Sequence, residues 1–350
     1  MTDIGEKAAP AAERRRTGVK ATGHDIIVIG ASAGGVEGVV EISRALPADL
    51  PASIFVVLHI PPTARSLLPE ILSRTGKLPA GHVRDGQPIE RSSIYVAPPD
   101  HHLLIKDGQM RTVRGPKENG HRPAIDPLFR TASAAYGRRV VGVILSGNLD
   151  DGTAGLAEVK RMGGVALVQD PSETPYPGMP RSAIKNVAVD DVLSLQEIAE
   201  AVVQLARSPL EEAVVMGPGE GFKAVRDPAE MDLEAILRKE VPATLSGLGC
   251  PFCGGPLKEQ NEGDFIRFRC KIGHAYTMES LISEHTEAVE RALSAGLLAL
   301  TERALLARRM CERAERRGSR KAAENYAIQA SSAEEDAALL QTLLQERKWG

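Results

Sequence analysis

Residues 25–46 read Asp-Ile-Ile-Val-Ile-Gly-Ala-Ser-Ala-Gly-Gly-Val-Glu-Gly-Val-Val-Glu-Ile-Ser-Arg-Ala-Leu. The apolar run Ile26–Ile29 closes on Gly30, and from Val36 to Leu46 apolar and polar residues recur at helical spacing. That is a strand, a tight turn and a helix. Similar runs follow at Ile54–Leu58, ending in His59 and Pro61-Pro62, and at Val140–Leu145, ending in Ser146-Gly147. Val165–Val168 precedes Gln169-Asp170-Pro171, and Asp190–Leu195 leads into a helix near Glu197–Leu205. Runs that are apolar without alternation indicate strands buried on both faces. Interleaved with helices, they predict an α/β fold: a doubly wound, mainly parallel, Rossmann-like three-layer sheet. The stretch Gly81–Val113, with Ser93–Ala97 and Leu103–Ile105 around Pro98-Pro99-Asp100, reads as a small antiparallel excursion.

The turn itself, Gly30-Ala31-Ser32-Ala33-Gly34, has the Gly-x-Ser-x-Gly spacing in a strand-to-helix context. Flanking glycines permit a sharp turn that lifts a serine hydroxyl off the sheet, with backbone N–H groups near Ala33 and Gly34 aimed at an oxyanion. Gly30, Gly34 and Gly35 equally suit a degenerate dinucleotide loop, although Ser32 replaces the middle glycine and the second strand ends in His59 instead of an acidic residue. The motif alone leaves both open. His59 and Asp151 stand after two further strands at the same predicted rim, where reacting groups gather in open α/β sheets. A serine nucleophile needs a base, and the base needs an acceptor that fixes its tautomer. Residue type does not separate Asp151 from Asp150, nor His59 from His101, His102 and His121.

Composition narrows the class. The chain has 350 residues, enough for two or three domains, with 43% hydrophobic and 25% charged residues and a net charge of -3. Aromatics at 3% and a slightly acidic balance argue against nucleic acid as a partner. No run approaches a membrane span and the N-terminus lacks a signal peptide's apolar middle, so no membrane insertion and a cytoplasmic location are expected.

The residues quoted so far, with several more, resemble a known family, the catalytic domain of the chemotaxis receptor methylesterases, CheB. The resemblance runs from about Asp25 to Leu205 through Ile29–Gly35, Leu58-His59, Tyr95-Val96-Ala97-Pro98, His121-Arg122-Pro123, Asp151-Gly152 and Gly178-Met179-Pro180. It implies hydrolysis of glutamyl methyl esters on chemoreceptor helices, releasing methanol, and deamidation of receptor glutamines. It also implies a catalytic triad of Ser32, His59 and Asp151, with no cofactor for catalysis. Two positions depart from the family pattern: Ala33 stands where Thr is usual, and Asn148 where Met is usual. These departures keep a second reading open, a catalytically weakened protein that binds receptor or signalling helices. Enzymes of this kind usually carry an N-terminal receiver domain, whereas about two dozen residues precede the first strand here, so regulation by such a domain within the chain is not expected.

Beyond the esterase region, two residues separate Cys250 from Cys253, sixteen separate Cys253 from Cys270, and three separate Cys270 from His274. Paired ligands on tight knuckles close a tetrahedral site, so a structural zinc is expected on Cys250, Cys253, Cys270 and His274. From Met278 onward Ala, Leu, Glu, Arg and Gln recur at helical spacing, broken near Arg317-Gly318-Ser319, which predicts an antiparallel helical hairpin. Leu281, Ile282, Val289, Leu293, Leu297, Leu298, Leu300 and Leu305 form an apolar stripe suited to the hairpin's own seam, to a homodimer through these helices, or to docking on a receptor bundle. The expected division is a disordered leader over 1–23, the catalytic domain over 24–207, a linker with a short helix over 208–245, a zinc-binding module over 246–277 and the helical hairpin over 278–350.

Overall fold

The computed structural model describes residues 23–210, 244–262 and 265–346; the leader expected over 1–23 and the linker over 208–245, with its short helix, lie almost wholly outside them. Strand β1 (Ile26–Ala31) is followed by helix α1 (Gly35–Ala45), β2 (Ser53–Leu58), α2 (Leu68–Thr75), β3 (Ala80–His82) and β4 (Ser93–Val96). A hairpin of β5 (His102–Lys106) and β6 (Gln109–Val113) leads to α3 (Ile125–Tyr136) and β7 (Val140–Ile144). Then come α4 (Thr153–Arg161), β8 (Val165–Gln169), α5 (Gly178–Asn186), β9 (Asp191–Leu193) and α6 (Leu195–Arg207).

Seven strands form one sheet in the order β3-β4-β2-β1-β7-β8-β9, and every neighbouring pair is parallel. Strand order reverses at β1, whose neighbours β2 and β7 are wound in opposite directions, so a crevice opens at the carboxyl ends of these three strands. All residues of β1, β2 and β7 are buried, as apolar runs without alternation require. Ile27, Ile29, Ile54 and Val56 face a core with Val39, Ile42, Leu72, Ile198 and Val202 from α1, α2 and α6. Their neighbours Ile26, Val28, Phe55 and Val57 face a second core with Leu128, Phe129, Leu156, Val159 and Ala183 from α3, α4 and α5. The three-layer α/β expectation holds.

One expectation needs correction. Of the stretch Gly81–Val113, the antiparallel pairing is that of β5 with β6 and a single bridge between Pro88 and Gln109. Gly81 lies in β3, and Ser93–Val96 is β4; both are parallel members of the main sheet. Ile94, Tyr95 and Val96 are buried, and β4 joins β2 through a crossover that contains α2. The short strand and the Pro-rich turn after it disguised a member of the central layer.

The C-terminal part opens with a small antiparallel sheet of β10 (Thr244–Gly249), β11 (Pro256–Glu262), β12 (Phe265–Cys270) and β13 (Ala275–Tyr276). Helices α7 (Met278–Arg316) and α8 (Arg320–Glu346) then form the expected hairpin, turning at Gly318, whose φ of 70° suits glycine. Its buried residues are mainly alanines, Ala304, Ala307 and Ala314 on α7 and Ala323, Ala330 and Ala333 on α8. Arg308 pairs with Glu334 across the helices at 2.6 Å. Ile282, Val289, Leu298 and Leu305, expected in the apolar stripe, are exposed. Small side chains let the helices approach closely and leave the larger ones outside.

Candidate active site and metal centre

Ser32 follows β1 directly. Gly34 takes φ 70° as the N-cap of α1, and the Gly35 amide donates to the Ser32 carbonyl at 3.0 Å, so the chain reverses within three residues. Ser146, after β7, braces this turn: its carbonyl accepts from the Ser32 amide at 2.9 Å, and its hydroxyl donates to the Ala33 carbonyl at 2.6 Å. Thr174 Oγ1 donates to Ser146 Oγ at 2.6 Å, and Gln169 Oε1 accepts from the Ser146 amide at 2.9 Å. Gly147 lies against Ser32 so closely that a Cβ there would sit 2.8 Å from Ser32 Cβ and 2.1 Å from Met179 Sδ. The amides of Ala33 and Gly34 have no acceptor among the described residues, which leaves both available to an oxyanion.

His59 follows β2, and its Nδ1 lies 3.2 Å from Ser32 Oγ while its Nε2 lies 2.7 Å from Asp151 Oδ2. With the proton on Nε2, that nitrogen donates to Asp151 and Nδ1 presents a lone pair to the serine hydroxyl. Asp151, 2% exposed, sits at the N-terminus of α3. Its Oδ2 also accepts from the Ile125 amide at 2.7 Å, and its Oδ1 accepts from Asn119 Nδ2 at 2.8 Å and the Asp126 amide at 3.4 Å. Burial alone would raise the Asp151 carboxyl; the hydrogen bond and charge of His59 and the Ile125 amide outweigh it and hold the group well below the usual carboxylate range. It is therefore an anion in hydrogen-bond contact with His59 Nε2.

The rivals separate on geometry. Asp150 is buried but does not meet His59; burial lifts its carboxyl to about 7, opposed by a hydrogen bond with Thr277. His102 is fully buried between Pro116, whose carbonyl lies 2.9 Å from Nε2, and the Ala124 amide, which donates to Nδ1 at 3.2 Å. The Nδ1 of His101 lies 2.9 Å from the Pro99 carbonyl. His121 stacks on His59, with ring centroids 3.6 Å apart. Burial, then the neighbouring charge of His59, pushes its pKa down to about 3, so it is a neutral wall of the site. Sequence reading missed Ser146, Asn119 and Asp126. The only signal was Asn119 within the turn-rich stretch before His121. Ala33 is partly exposed beside Ser32, and Asn148 is exposed, with its Cα against Gly178.

The second cluster lies in the small antiparallel sheet. Cys250, Cys253, Cys270 and His274 offer four ligand atoms all within 4.8 Å of one another. Cys253 Sγ and Cys270 Sγ are 3.7 Å apart; His274 Nδ1 is 3.7 Å from Cys250 Sγ and 3.4 Å from Cys270 Sγ. Four ligands at ordinary zinc distances have tetrahedral edges of roughly 3.5–3.8 Å. Two knuckles shape the site: the Gly254 amide donates to the Cys250 carbonyl at 2.8 Å, and the Gly273 amide to the Cys270 carbonyl at 3.0 Å. Gly254 and Gly273 take φ values of 72° and 105°, which a side chain would strain. Residues and geometry fit a closed metal site.

A protein-family model described as CheB methylesterase matches residues 27–202, half of the chain. A relative from Leptospira interrogans is 40% identical over 190 residues, covering 54% of this chain and 98% of that protein. The protein-glutamate methylesterase/protein-glutamine glutaminase 2 of Anaeromyxobacter dehalogenans is 38% identical over 183 residues, 52% of this chain and 54% of its own. Among solved structures, the catalytic domain of Thermotoga maritima CheB methylesterase superposes with a TM-score of 0.50 at 34% identity, covering 52% of this chain and 98% of that one. Fold, motifs and matched span agree: the chain belongs to the CheB methylesterase family.

Proposed function

We propose that this protein is a protein-glutamate methylesterase whose triad is Ser32, His59 and Asp151, acting on glutamyl methyl esters of chemoreceptor helices. The observation that carries this reading is the continuous hydrogen-bonded line from Ser32 Oγ through His59 to Asp151, at 3.2 and 2.7 Å. His59 Nδ1 takes the Ser32 proton as Oγ attacks the ester carbonyl carbon. The oxyanion forms against the Ala33 and Gly34 amides. His59 then gives its proton to the departing methoxide, methanol leaves, and water activated by the same nitrogen hydrolyses the acyl-enzyme to a free glutamate. The same steps on a glutamine release ammonia. Asp151 stays ionised and holds the imidazolium between steps. Catalysis needs no cofactor.

Ala33 and Asn148, the departures behind the weakened-binder reading, are partly exposed and exposed and make none of the His59 contacts. The four-ligand cluster supports a structural zinc. The parallel sheet, the antiparallel sheet, which begins at Thr244, and the helical hairpin support a division near 24–207, 246–277 and 278–350. The exposed Leu298, Leu305 and Leu306 of α7 suit a helical partner, a receptor bundle or a second copy. No helix among the described residues is long and apolar enough to cross a membrane, which accords with a cytoplasmic place of action. Mass spectrometry of receptor peptides tests the activity: methyl-glutamates converted to glutamates by the wild-type chain and left intact by His59→Gln support it, and intact methyl-glutamates with both proteins overturn it.

A further inference from the structure

Behind Asp151 runs a buried polar chain that crosses into the metal-binding module. Asn119 Nδ2 donates to Asp151 Oδ1 at 2.8 Å and to Asp126 Oδ2 at 3.0 Å. Asp126 Oδ1 accepts from the amides of Gly152 and Gly155 at 3.1 and 2.7 Å, tying the turn that carries Asp151 to α3. The other end of Asn119 is held by the C-terminal part: its Oδ1 accepts from the Thr277 amide at 3.2 Å and from Ser280 Oγ at 3.3 Å, within the capping box of α7. The Asn119 amide therefore has one orientation, carbonyl toward α7 and both N–H bonds toward carboxylates.

The charge balance comes from the same direction. Arg267, in the middle of β12 and fully buried, pairs through Nη2 with Asp126 Oδ2 and through Nη1 with Glu118 Oε2 at 3.3 Å. Arg130 of α3 takes the other side of Glu118 at 3.0 and 3.1 Å. Three buried carboxylates, Glu118, Asp126 and Asp151, thus share this region with Arg130 and Arg267. A buried carboxylate stripped of its cation is strongly unfavourable and takes up a proton or moves. The backbone joins as well: the Asn119 amide donates to the Ala275 carbonyl at 2.8 Å and the Ala275 amide to the Lys117 carbonyl at 3.2 Å, so residues 117–119 extend the edge of β13.

We propose that the metal-binding module is a working part of the esterase, with Arg267 as a positioning residue that, through Asp126 and Asn119, holds the Asp151 carboxylate in line with His59. This rests on the triad reading given above. Arg267 touches no substrate. Burial pushes the Asp126 carboxyl up and the Arg267 guanidinium opposes that while fixing the group in place; Asp126 and the α7 cap fix Asn119, and Asn119 fixes Asp151. Arg267 lies three residues before the ligand Cys270 on the same strand, so the metal-bound fold of the module carries the positioning group.

The test uses full-length Arg267→Met, Arg267→Lys and Asn119→Ala, with exposed Lys258→Ala on β11 as a control. For each, labelling of Ser32 by a fluorophosphonate, kcat and KM for methanol release, metal content and thermal midpoint are measured. Arg267→Met lowers the labelling rate and kcat by about tenfold to a hundredfold, as loss of an orienting partner does, and leaves KM unchanged. Arg267→Lys, which keeps the charge, recovers part of that loss, and Lys258→Ala matches wild type. Asn119→Ala reproduces the kcat loss and decides the matter if Arg267→Met does not fold. Wild-type labelling and kcat in either folded variant overturn the inference. Wild-type protein that labels at Ser32 but releases no methanol overturns the substrate alone; absence of labelling in wild type overturns the triad and this inference with it.

Discussion

The imidazoles of His59 and His121 lie face to face, 3.6 Å between centroids and 14° between planes. Because His121 is held near 3, the folded protein refuses a proton that the unfolded chain takes up below about 6.5. The associated stability is fully present above pH 6.5 and is lost as pH falls toward 3. His121→Gln removes this loss: between pH 7 and 4.5 its unfolding free energy in urea falls by about 2–3 kcal/mol less than that of wild type. Equal slopes for the two proteins would contradict the half-buried, neutral His121.

Asp150 has the opposite sign. Its carboxyl is lifted to about 7 by burial, so the folded state keeps a proton that the unfolded chain releases near 4, and stability declines as pH rises between those values. Asp150→Asn, which keeps the shape of the side chain and removes its charge, stabilises the protein by ~2–4 kcal/mol at pH 8 and leaves it nearly unchanged at pH 4. Calorimetric midpoints at the two pH values check this.

Gly147 admits no side chain, since a Cβ would meet Ser32 Cβ at 2.8 Å and Met179 Sδ at 2.1 Å. Met179 can swing aside more easily than Ser32 Cβ, which its backbone holds. Gly147→Ala therefore costs about 1–3 kcal/mol of stability through overpacking and lowers the fluorophosphonate labelling rate at Ser32 by about tenfold or more, because small misplacements of a reacting atom are expensive.

If Cys250, Cys253, Cys270 and His274 hold a structural zinc, elemental analysis of the purified chain is expected to give close to one equivalent, and Cys253→Ser, which replaces a thiolate ligand, to lower it. Chelation lowers the thermal midpoint of the antiparallel sheet and, with it, the esterase rate. Full activity and unchanged melting in metal-free protein would contradict a structural metal.

Much of this was legible in the sequence because its physics is local. Ile26–Ala31 and Ser53–Leu58 announce buried parallel strands by being apolar throughout, and the rim residues Ser32 and His59 follow their ends directly. The knuckle spacing of Cys250 to His274 likewise reports a local geometry. Ser93–Val96 was misassigned because its partners, Ser53–Val56, lie forty residues away and the intervening loops conceal the crossover. Asp151 and Asp150 differ only in where the turn aims them, which depends on the left-handed Leu149 and Gly152, with φ of 60° and 93°. The contact of Arg267 with Asp126 joins positions 141 apart, and its one sequence trace is a charged residue next to Phe268 in a strand that buries Cys270.

The most direct test of the central claim is methanol release from methylated chemoreceptor membranes by wild-type protein and by Ser32→Ala. Wild type releases methanol at a rate that rises with enzyme concentration, and Ser32→Ala, folded to the same thermal midpoint, falls to the level of membranes alone. Equal release by the two proteins would contradict Ser32 as the nucleophile of this esterase.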